Sequence, residues 1–372
     1  MKGLRARPAV ERMEPYAPAE SARAERPVRI KLDSNENPYG PSPRVLEALG
    51  EFSTYHHYPD PDQKELRRLI GGYASVDSDR LMVGNGSDEL IDLLCRLYLE
   101  PGDEIIDCTP TFGMYRFSAE LCGGELIEAA RAEDWTVDMS AVRAALSPRT
   151  RMIFVATPNN PTGNMVSTET VYALLELGPL VVLDEAYVEF SGQESWCSRA
   201  VQYDRLVVLR TFSKWAGLAG LRVGYGVFPS SALQHLWKIK PPFNVNLAAE
   251  AAVRASLEDL VLLQSRVHCI VAERERMAAG LGSIDGLRVW PSLANFLLVG
   301  TPPGRAAELK AHLAGSDIAV RAYNHPRLAD AIRITVGRSE DTDAVVRSLE
   351  QWAEERSGLG GKRPSGRQSG IR

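Results

Sequence analysis

Short apolar runs that alternate with helical patterns are the feature that most restricts the fold of this 372-residue chain. From about Leu81 onward, each run ends in a turn rich in Gly, Pro or Asp, and an amphipathic stretch follows. Short runs that are apolar on both faces are typical of parallel strands covered by helices on two sides. The pattern therefore predicts an α/β fold, with a mostly parallel sheet sandwiched by helices. The predicted strands are 80–83, 104–108, 152–156, 180–183, 206–209 and 223–227.

A second group of elements follows and predicts a smaller α+β domain. The stretch 247–280 contains few helix breakers and predicts one long helix. Strands are expected at 287–290, 295–299, 318–322 and 332–336, with a helix at 305–314. A last helix places Val345, Leu349 and Trp352 on one apolar face. The predicted units are an arm at 1–48 that joins the small domain, a large domain at 49–274, the small domain at 275–357 and a disordered tail at 358–372.

Charge and cysteine content exclude several classes of function. The net charge of −5 gives no general attraction to nucleic acid or to an anionic membrane. Five cysteines without a C-x-x-C motif argue against a disulfide framework and against a zinc site. The adjacent His56 and His57 would point to opposite faces of a strand, so no metal is expected there. Without an apolar run of about 20 residues or a signal-peptide core, we expect a cytoplasmic protein.

Polar residues follow directly after several runs, where sheets of this kind bind ligands. Gly86, Ser87 and Asp88 open a helix whose N–H groups suit a phosphate, although a capped turn has the same pattern. Phe112 can stack on a planar ring or belong to the core. Asn160 can offer its amide to a ring hydroxyl, although turn chemistry accounts for its Pro and Gly neighbours.

Asp184 ends an apolar run, and a buried carboxylate is costly unless it is paired. A protonated pyridine nitrogen is one such partner, while a helix cap or a structural salt bridge is the ordinary alternative. Tyr187 follows three residues later and can donate to a phenolic oxygen on the same ring.

Lys214 gives these candidates a common chemistry. Its ε-amine can condense with an aldehyde and later act as a base, because burial and a neighbouring cation lower the pKa of a lysine. Residues near it can hold a phosphate, the arginine through a charge-assisted fork: Thr211, Ser213 and Arg222. An aldehyde, a phosphate and a pyridine ring together indicate pyridoxal phosphate as the cofactor.

The joint spacing of these motifs resembles the class I and II aminotransferases of fold type I. The matching motifs are Asn160-Pro161-x-Gly163, Asp184-x-x-Tyr187, Ser213-Lys214, and Arg222 eight residues after the lysine. Further segments, in order over about residues 13–355, resemble the histidinol-phosphate aminotransferases within that family. These segments are 33–43, 58–60, 240–246, 294–298 and 332–337.

The resemblance implies a role for each matching residue. Lys214 would bind the aldehyde of the cofactor and Asp184 its pyridine nitrogen, whereas Tyr187 and Asn160 would contact its phenolic oxygen. Phe112 would stack on the ring, where the family often has tyrosine. The implied phosphate ligands are Gly86, Ser87, Asp88, Thr211, Ser213 and Arg222 of one subunit, with Tyr58 of its neighbour. A homodimer with shared active sites follows from that last contact.

Substrate contacts are implied for Tyr16, Asn35, Arg321 and Arg333. The two arginines would hold the carboxylate of glutamate or the phosphate of histidinol phosphate, although alone each would be ascribed to a surface ion pair. Trp215 departs from the Ala-Phe expected after the lysine, which puts the shape of the pocket in question.

The implied reaction is a ping-pong transfer of an amino group between histidinol phosphate and 2-oxoglutarate, with glutamate and imidazole acetol phosphate as products. Aromatic amino-acid aminotransferases share nearly all these motifs, and threonine-phosphate decarboxylases use the same fold. A regulator that binds the same cofactor would need a DNA-binding module, for which the arm and the tail are too short.

Overall fold

The computed structural model describes residues 4–16 and 28–357, so the tail predicted at 358–372 and part of the predicted arm lie outside the described residues. Two sheets organise the described residues. The strands of the first sheet are β2 (Leu81–Gly84), β3 (Glu104–Asp107), β4 (Glu125–Glu128), β5 (Thr150–Ala156), β6 (Leu180–Asp184), β7 (Leu206–Thr211) and β8 (Gly224–Val227). The strands of the second are β1 (Ile30–Leu32), β9 (Arg288–Val289), β10 (Phe296–Gly300), β11 (Ile318–Ala322) and β12 (Ala331–Thr335).

The first sheet has the strand order β2-β8-β7-β6-β5-β3-β4. Only β8 runs against its neighbours, so the mostly parallel sheet predicted from the sequence is confirmed. All six predicted runs form strands of this sheet. The edge strand β4 was missed, because its sequence Glu-Leu-Ile-Glu is short and carries two exposed glutamates instead of a buried apolar run.

Helices cover both faces of the sheet, as the continuous apolar runs require. Along β6, Val181 and Leu183 pack into the core on one face, while Leu180 and Val182 pack into the core on the other. The helices are α1 (Pro8–Arg12), α2 (Pro43–Glu51), α3 (Lys64–Ala74), α4 (Ser87–Tyr98), α5 (Met114–Cys122), α6 (Met139–Ala145), α7 (Thr168–Leu175), α8 (Cys197–Ala200), α9 (Ser230–Ile239), α10 (Leu247–Glu258), α11 (Leu260–Gly282), α12 (Ala306–Gly315) and α13 (Ser339–Ser357).

The prediction of one helix over 247–280 is wrong, because the chain breaks between α10 and α11. Asp259 leaves the helical conformation, with φ −116° and ψ 30°, and its N–H donates to the carbonyl of Ser256. Aspartate competes for backbone hydrogen bonds and favours helix ends over helix interiors. At the other end of α10, the side chain of Asn246 accepts from the N–H of Ala249 at 2.8 Å.

The second sheet has the order β1-β11-β12-β10-β9 and joins residues from both ends of the described chain. Strand β1 pairs in parallel with β11, so that Lys31 lies opposite Ala319. On α13, Val345, Leu349 and Trp352 are buried against this sheet, as their spacing predicts. The division of the chain at residues 48 and 274 stays a prediction.

His56 and His57 do not lie on a strand, and the expectation that they point apart is wrong. The N–H of His57 donates to the carbonyl of Thr54, which makes a turn. Both imidazoles therefore fall on the same side, with ring centroids 4.1 Å apart. No helix within residues 4–16 and 28–357 is long and apolar enough to cross a membrane.

Candidate active site

Two adjoining cavities open at the carboxyl edge of the parallel strands. The first cavity includes ten of the predicted cofactor residues, namely Ser87, Asp88, Phe112, Asn160, Asp184, Tyr187, Thr211, Ser213, Lys214 and Arg222. The second cavity includes the four predicted substrate residues, namely Tyr16, Asn35, Arg321 and Arg333. Both cavities share Phe112, Asn160, Tyr187 and Lys214 in their walls. Parallel strands bring these residues together because their carboxyl ends meet at one edge.

One end of the first cavity is built for an anion. Helix α4 begins there without a side-chain cap, so its first N–H groups have no partner within the helix. Arg222 extends over Gly86, which has φ +82°, and a Cβ at this glycine would lie 2.5 Å from the arginine Nη2. Arg222 also pairs with Asp88 at 2.7 Å. Because both partners are partly exposed, this ion pair adds little stability and leaves the guanidinium available to a second anion.

Thr211 and Ser213 form the turn that leads from β7 to Lys214. The N–H of Ser213 donates to the Thr211 hydroxyl at 3.1 Å, and the two hydroxyls lie 3.0 Å apart. Both side chains are buried and line the first cavity. The turn therefore presents two hydroxyls toward the same end of the cavity as Arg222.

Asp184, at the last position of β6, also lines the first cavity. One carboxylate oxygen accepts from the N–H of Ala186 at 3.1 Å, and the other accepts from the hydroxyl of Tyr115 at 2.7 Å. Burial raises the pKa of the Asp184 carboxyl to about 6, against the opposing effect of these two hydrogen bonds. A cationic partner in the cavity would offset that burial cost.

Lys214 lies where the two cavities meet. Its ammonium donates to the carbonyl of Ser34 at 3.2 Å and stands 5.8 Å from the centre of the Tyr187 ring. Burial, and then the nearby cation of Arg333, lower the pKa of Lys214 to about 8. A lysine with such a pKa is partly neutral near physiological pH, which a nucleophilic amine or a general base requires.

A hydrogen-bonded chain fixes Tyr187 on the wall between the cavities. Its hydroxyl accepts from the side-chain amide of Asn35 at 3.0 Å, and the amide oxygen of Asn35 accepts from Thr335 at 3.1 Å. The Tyr187 hydroxyl keeps its own proton for another acceptor. Asn35 thus lines the second cavity, while both ends of its amide are bonded within the chain, to Tyr187 and Thr335.

The second cavity is positively charged. Arg321 on β11 and Arg333 on β12 are register partners in the antiparallel pair, which brings two cations to one wall. Arg333 donates to the amide oxygen of Asn160 at 2.6 Å and to the carbonyl of Asp33 at 2.6 Å. Its buried Nε has no partner within the described part of the chain. This cavity therefore suits a substrate with a carboxylate or a phosphate.

A family model for class I and II aminotransferases matches residues 27–349. The chain belongs to this family. A histidinol-phosphate aminotransferase of Roseiflexus castenholzii is 47% identical over 363 residues, covering 93% of this chain and 98% of the relative. The corresponding protein of Dehalococcoides mccartyi is 45% identical over 325 residues, covering 87% of this chain and 90% of the relative. The resemblance that the motifs predict is thus confirmed.

A solved structure gives the same assignment for the fold. The histidinol-phosphate aminotransferase of Sinorhizobium meliloti, in complex with pyridoxal-5'-phosphate, superposes with a TM-score of 0.88 at 25% identity. The match covers 95% of this chain and 98% of that chain. The fold-type I architecture predicted from the sequence is confirmed.

Of the predicted cofactor residues of this aminotransferase, Gly86 and Tyr58 are not among those that line either cavity, and only Gly86 lies beside a residue that does, Arg222. Tyr58 is 80% exposed and stacks on Phe243, with ring centroids 4.4 Å apart. Phe243 is itself 42% exposed. Tyr58 therefore makes no contact with the site of its own chain, and its predicted role needs a second subunit.

Two tyrosines of the site were not predicted from the sequence of the aminotransferase. Tyr115 hydrogen-bonds Asp184, and Tyr323 lines the second cavity with its ring 5.8 Å from the Arg321 guanidinium. The sequence contained a signal for each, since Tyr115 follows Phe112 by three residues and Tyr323 follows Arg321 by two. Trp215 is buried beside Tyr73 in the core, so it lines neither cavity.

Proposed function

We propose that this aminotransferase moves an amino group between histidinol phosphate and 2-oxoglutarate, with pyridoxal phosphate as its cofactor. The observation that carries the proposal is the pair of adjoining cavities, which share Lys214 in one wall. The names of the relatives support the choice of substrate, and two register-paired arginines in the second cavity fit its phosphate.

The residues of the first cavity fit pyridoxal phosphate at each of its polar groups. The uncapped start of α4 and the Arg222 guanidinium suit the phosphate. The buried Asp184 carboxylate suits a protonated ring nitrogen, and the Tyr187 hydroxyl has a proton to donate to the phenolic oxygen. When it is bound, the cofactor supplies an electron sink for charge that develops at the substrate Cα.

Each protein group then has a defined task. With pyridoxal phosphate bound, Lys214 would hold it through its ε-amine, and the neutral amine would be the base that moves the proton of the substrate Cα. Arg333 and Arg321 bind the anionic group of the substrate and orient its Cα toward that amine. Asn160, whose amide oxygen is held by Arg333, presents its N–H₂ group to the first cavity.

The test compares the wild-type enzyme with Lys214→Ala in glutamate formation from histidinol phosphate and 2-oxoglutarate. We expect Lys214→Ala to bind the cofactor but to lose turnover by more than about a thousandfold, since nucleophile and base are both removed. Lys238→Ala, at an exposed lysine of α9, is the matched control and should keep full activity. Substantial turnover by Lys214→Ala would contradict the assignment of Lys214 as the catalytic lysine.

A panel of amino compounds separates the proposed substrate from the alternatives. Faster reaction with phenylalanine or tyrosine than with histidinol phosphate would move the enzyme to the aromatic aminotransferases. Release of carbon dioxide from threonine phosphate without 2-oxoglutarate would make it a decarboxylase. The proposed function predicts that neither result is observed.

We also infer that the enzyme is a cytoplasmic homodimer. Tyr58 and Phe243 form an exposed aromatic pair, and exposed aromatic side chains are enriched at interfaces. Among the described residues the cysteines are free and three are buried, which fits a reducing compartment.

A further inference from the structure

Tyr115 is a fully buried tyrosine whose hydroxyl contacts the carboxylate assigned to the cofactor ring. It lies in the first turn of α5, directly after the loop that carries Phe112. Its ring stacks on Phe154 of β5 at 4.8 Å and meets Phe112 edge-on at 5.6 Å. Its hydroxyl ends 2.7 Å from Oδ2 of Asp184. Tyr115 thus lines the first cavity and contacts there the carboxylate of Asp184.

The direction of this hydrogen bond follows from the charges. Burial and the neighbouring Asp184 carboxylate raise the pKa of Tyr115 well above its ordinary value, so the phenol keeps its proton. An ionised carboxylate can only accept. Oδ1 of Asp184 takes its hydrogen bond from the N–H of Ala186, and Oδ2 takes one from Tyr115. The carboxylate is therefore held by one donor on each oxygen.

We propose that Tyr115 is a positioning residue that keeps Asp184 ionised and oriented, and thereby keeps the proton on the ring nitrogen of the bound cofactor. This inference rests on the proposed function. The donated hydrogen bond stabilises the anionic form of Asp184, so the carboxylate competes less for the proton that it shares with the pyridine. A cofactor with a neutral ring nitrogen is a weaker electron sink, and the reaction slows.

The packing contacts of the Tyr115 ring do not explain why this side chain carries a hydroxyl. Phenylalanine would preserve the stack on Phe154 and the edge contact with Phe112, since neither contact uses the phenol oxygen. A buried hydroxyl is favourable only where it finds an acceptor, and Asp184 is the acceptor here. Tyr115→Phe therefore removes one interaction and leaves the shape of the cavity unchanged.

The experiment compares Tyr115→Phe with Tyr225→Phe, which removes the hydroxyl of another fully buried tyrosine on β8. For each purified enzyme loaded with pyridoxal phosphate, three quantities are measured: the pH midpoint of the visible absorption of the lysine-bound cofactor, kcat and KM for histidinol phosphate, and the dissociation constant of the cofactor. Asp107 and Tyr187 face Tyr115, and Asp88 and Lys214 face Asp184. All four stay unchanged in both variants.

For Tyr115→Phe we expect the pH midpoint to rise, because loss of the proton at the ring nitrogen removes a positive charge near the titrating group. We expect kcat to fall about ten- to a hundredfold with KM nearly unchanged, and cofactor binding to weaken. Tyr225→Phe should match the wild type in all three quantities. Replacement of Tyr115 by 3-fluorotyrosine, a stronger donor with the same shape, should lower the midpoint even if Tyr115→Phe folds poorly.

The outcomes separate this inference from the proposed function. A wild-type enzyme that takes up no cofactor, or that does not turn over histidinol phosphate, contradicts the proposed function itself. A wild-type enzyme that does both, with a midpoint and kcat that neither Tyr115 replacement changes, overturns only the role of Tyr115.

Discussion

At the scale of single residues, the site depends on charges held away from water. Lys214 has its pKa lowered to about 8, first by burial and then by the cation of Arg333. Asp184 has its pKa raised to about 6 by burial. Opposite shifts of a base and an acid within one cavity are typical of catalytic sites, because each group is kept near the protonation state that its task needs.

The lowered pKa of Lys214 predicts how cofactor uptake depends on pH. Only the neutral amine attacks an aldehyde, and Lys214 is protonated below its folded-state pKa. The rate at which the apoenzyme takes up pyridoxal phosphate should therefore rise with pH through a midpoint near 8, well below the ordinary lysine value of about 10.4. Arg333→Gln should move that midpoint upward, because it removes a cation. Stopped-flow absorbance measures the rate, with Lys214→Ala as the background; a midpoint near 10 would contradict the shift.

Sequence spacing predicted the residues that lie within one motif but not those that meet across the chain. Ser213, Lys214 and Arg222 are close in sequence, and their turn brings them together. The hydrogen bond between Tyr115 and Asp184 joins residues 69 positions apart, and that between Asn35 and Thr335 joins residues 300 apart. Such contacts depend on how the sheets pack against each other, and a local sequence pattern carries no information about that packing.

At the scale of elements, the anion end of the cavity depends on a close approach of β8 to α4. A Cβ at Gly224 on β8 would lie 2.5 Å from the backbone nitrogen of Ser87 and 2.9 Å from the carbonyl oxygen of Arg210. Both neighbours are backbone atoms that cannot rotate away. Glycine at this position is therefore what allows the reversed strand to pair beside the start of the helix.

Gly224→Ala should destabilise the apoenzyme by about 1–3 kcal/mol through overpacking and should weaken cofactor binding, since the start of α4 must move. Gly72→Ala is the matched control, because its Cβ would meet nothing within 4 Å on the exposed side of α3. That control should be stabilised by about 0.5–1 kcal/mol. Urea unfolding and cofactor titration measure both effects. Equal stability of the two variants would show that the approach of β8 to α4 is not tight.

The elements themselves were largely predictable, and the misses have physical causes. The buried strands have continuous apolar sequences on both faces, which a single chain shows directly. The helix break at Asp259 depends on one polar residue between two helical stretches, and β4 owes its place in the sheet to pairing with β3 more than to its own sequence.

At the scale of the whole molecule, the two sheets meet at the second cavity. Residues from both ends of the described chain line this cavity, since Tyr16 and Asn35 lie beside Arg321 and Arg333. The sequence indicated this assembly only through its resemblance to the family. Tyr58 is exposed and lies outside the site of its own chain. Its predicted contact with the cofactor phosphate therefore requires a neighbouring subunit.

Mixed dimers test the contribution of Tyr58. Tyr58→Ala and Lys214→Ala should each be impaired alone. A dimer that combines them contains one site of two with both Lys214 and Tyr58 intact, so the purified mixed dimer should have up to about half of wild-type activity. Coexpression followed by purification through two different tags gives the mixed dimer. Activity no higher than the average of the two parents would place Tyr58 outside the partner's site.

The most direct test of the central claim is a half-reaction in the purified enzyme loaded with pyridoxal phosphate. L-histidinol phosphate is added alone, and the visible absorption of the lysine-bound cofactor is followed. The account predicts that this absorption disappears and that 2-oxoglutarate restores it. Absorption that histidinol phosphate leaves unchanged, while phenylalanine or tyrosine abolishes it, would contradict the account.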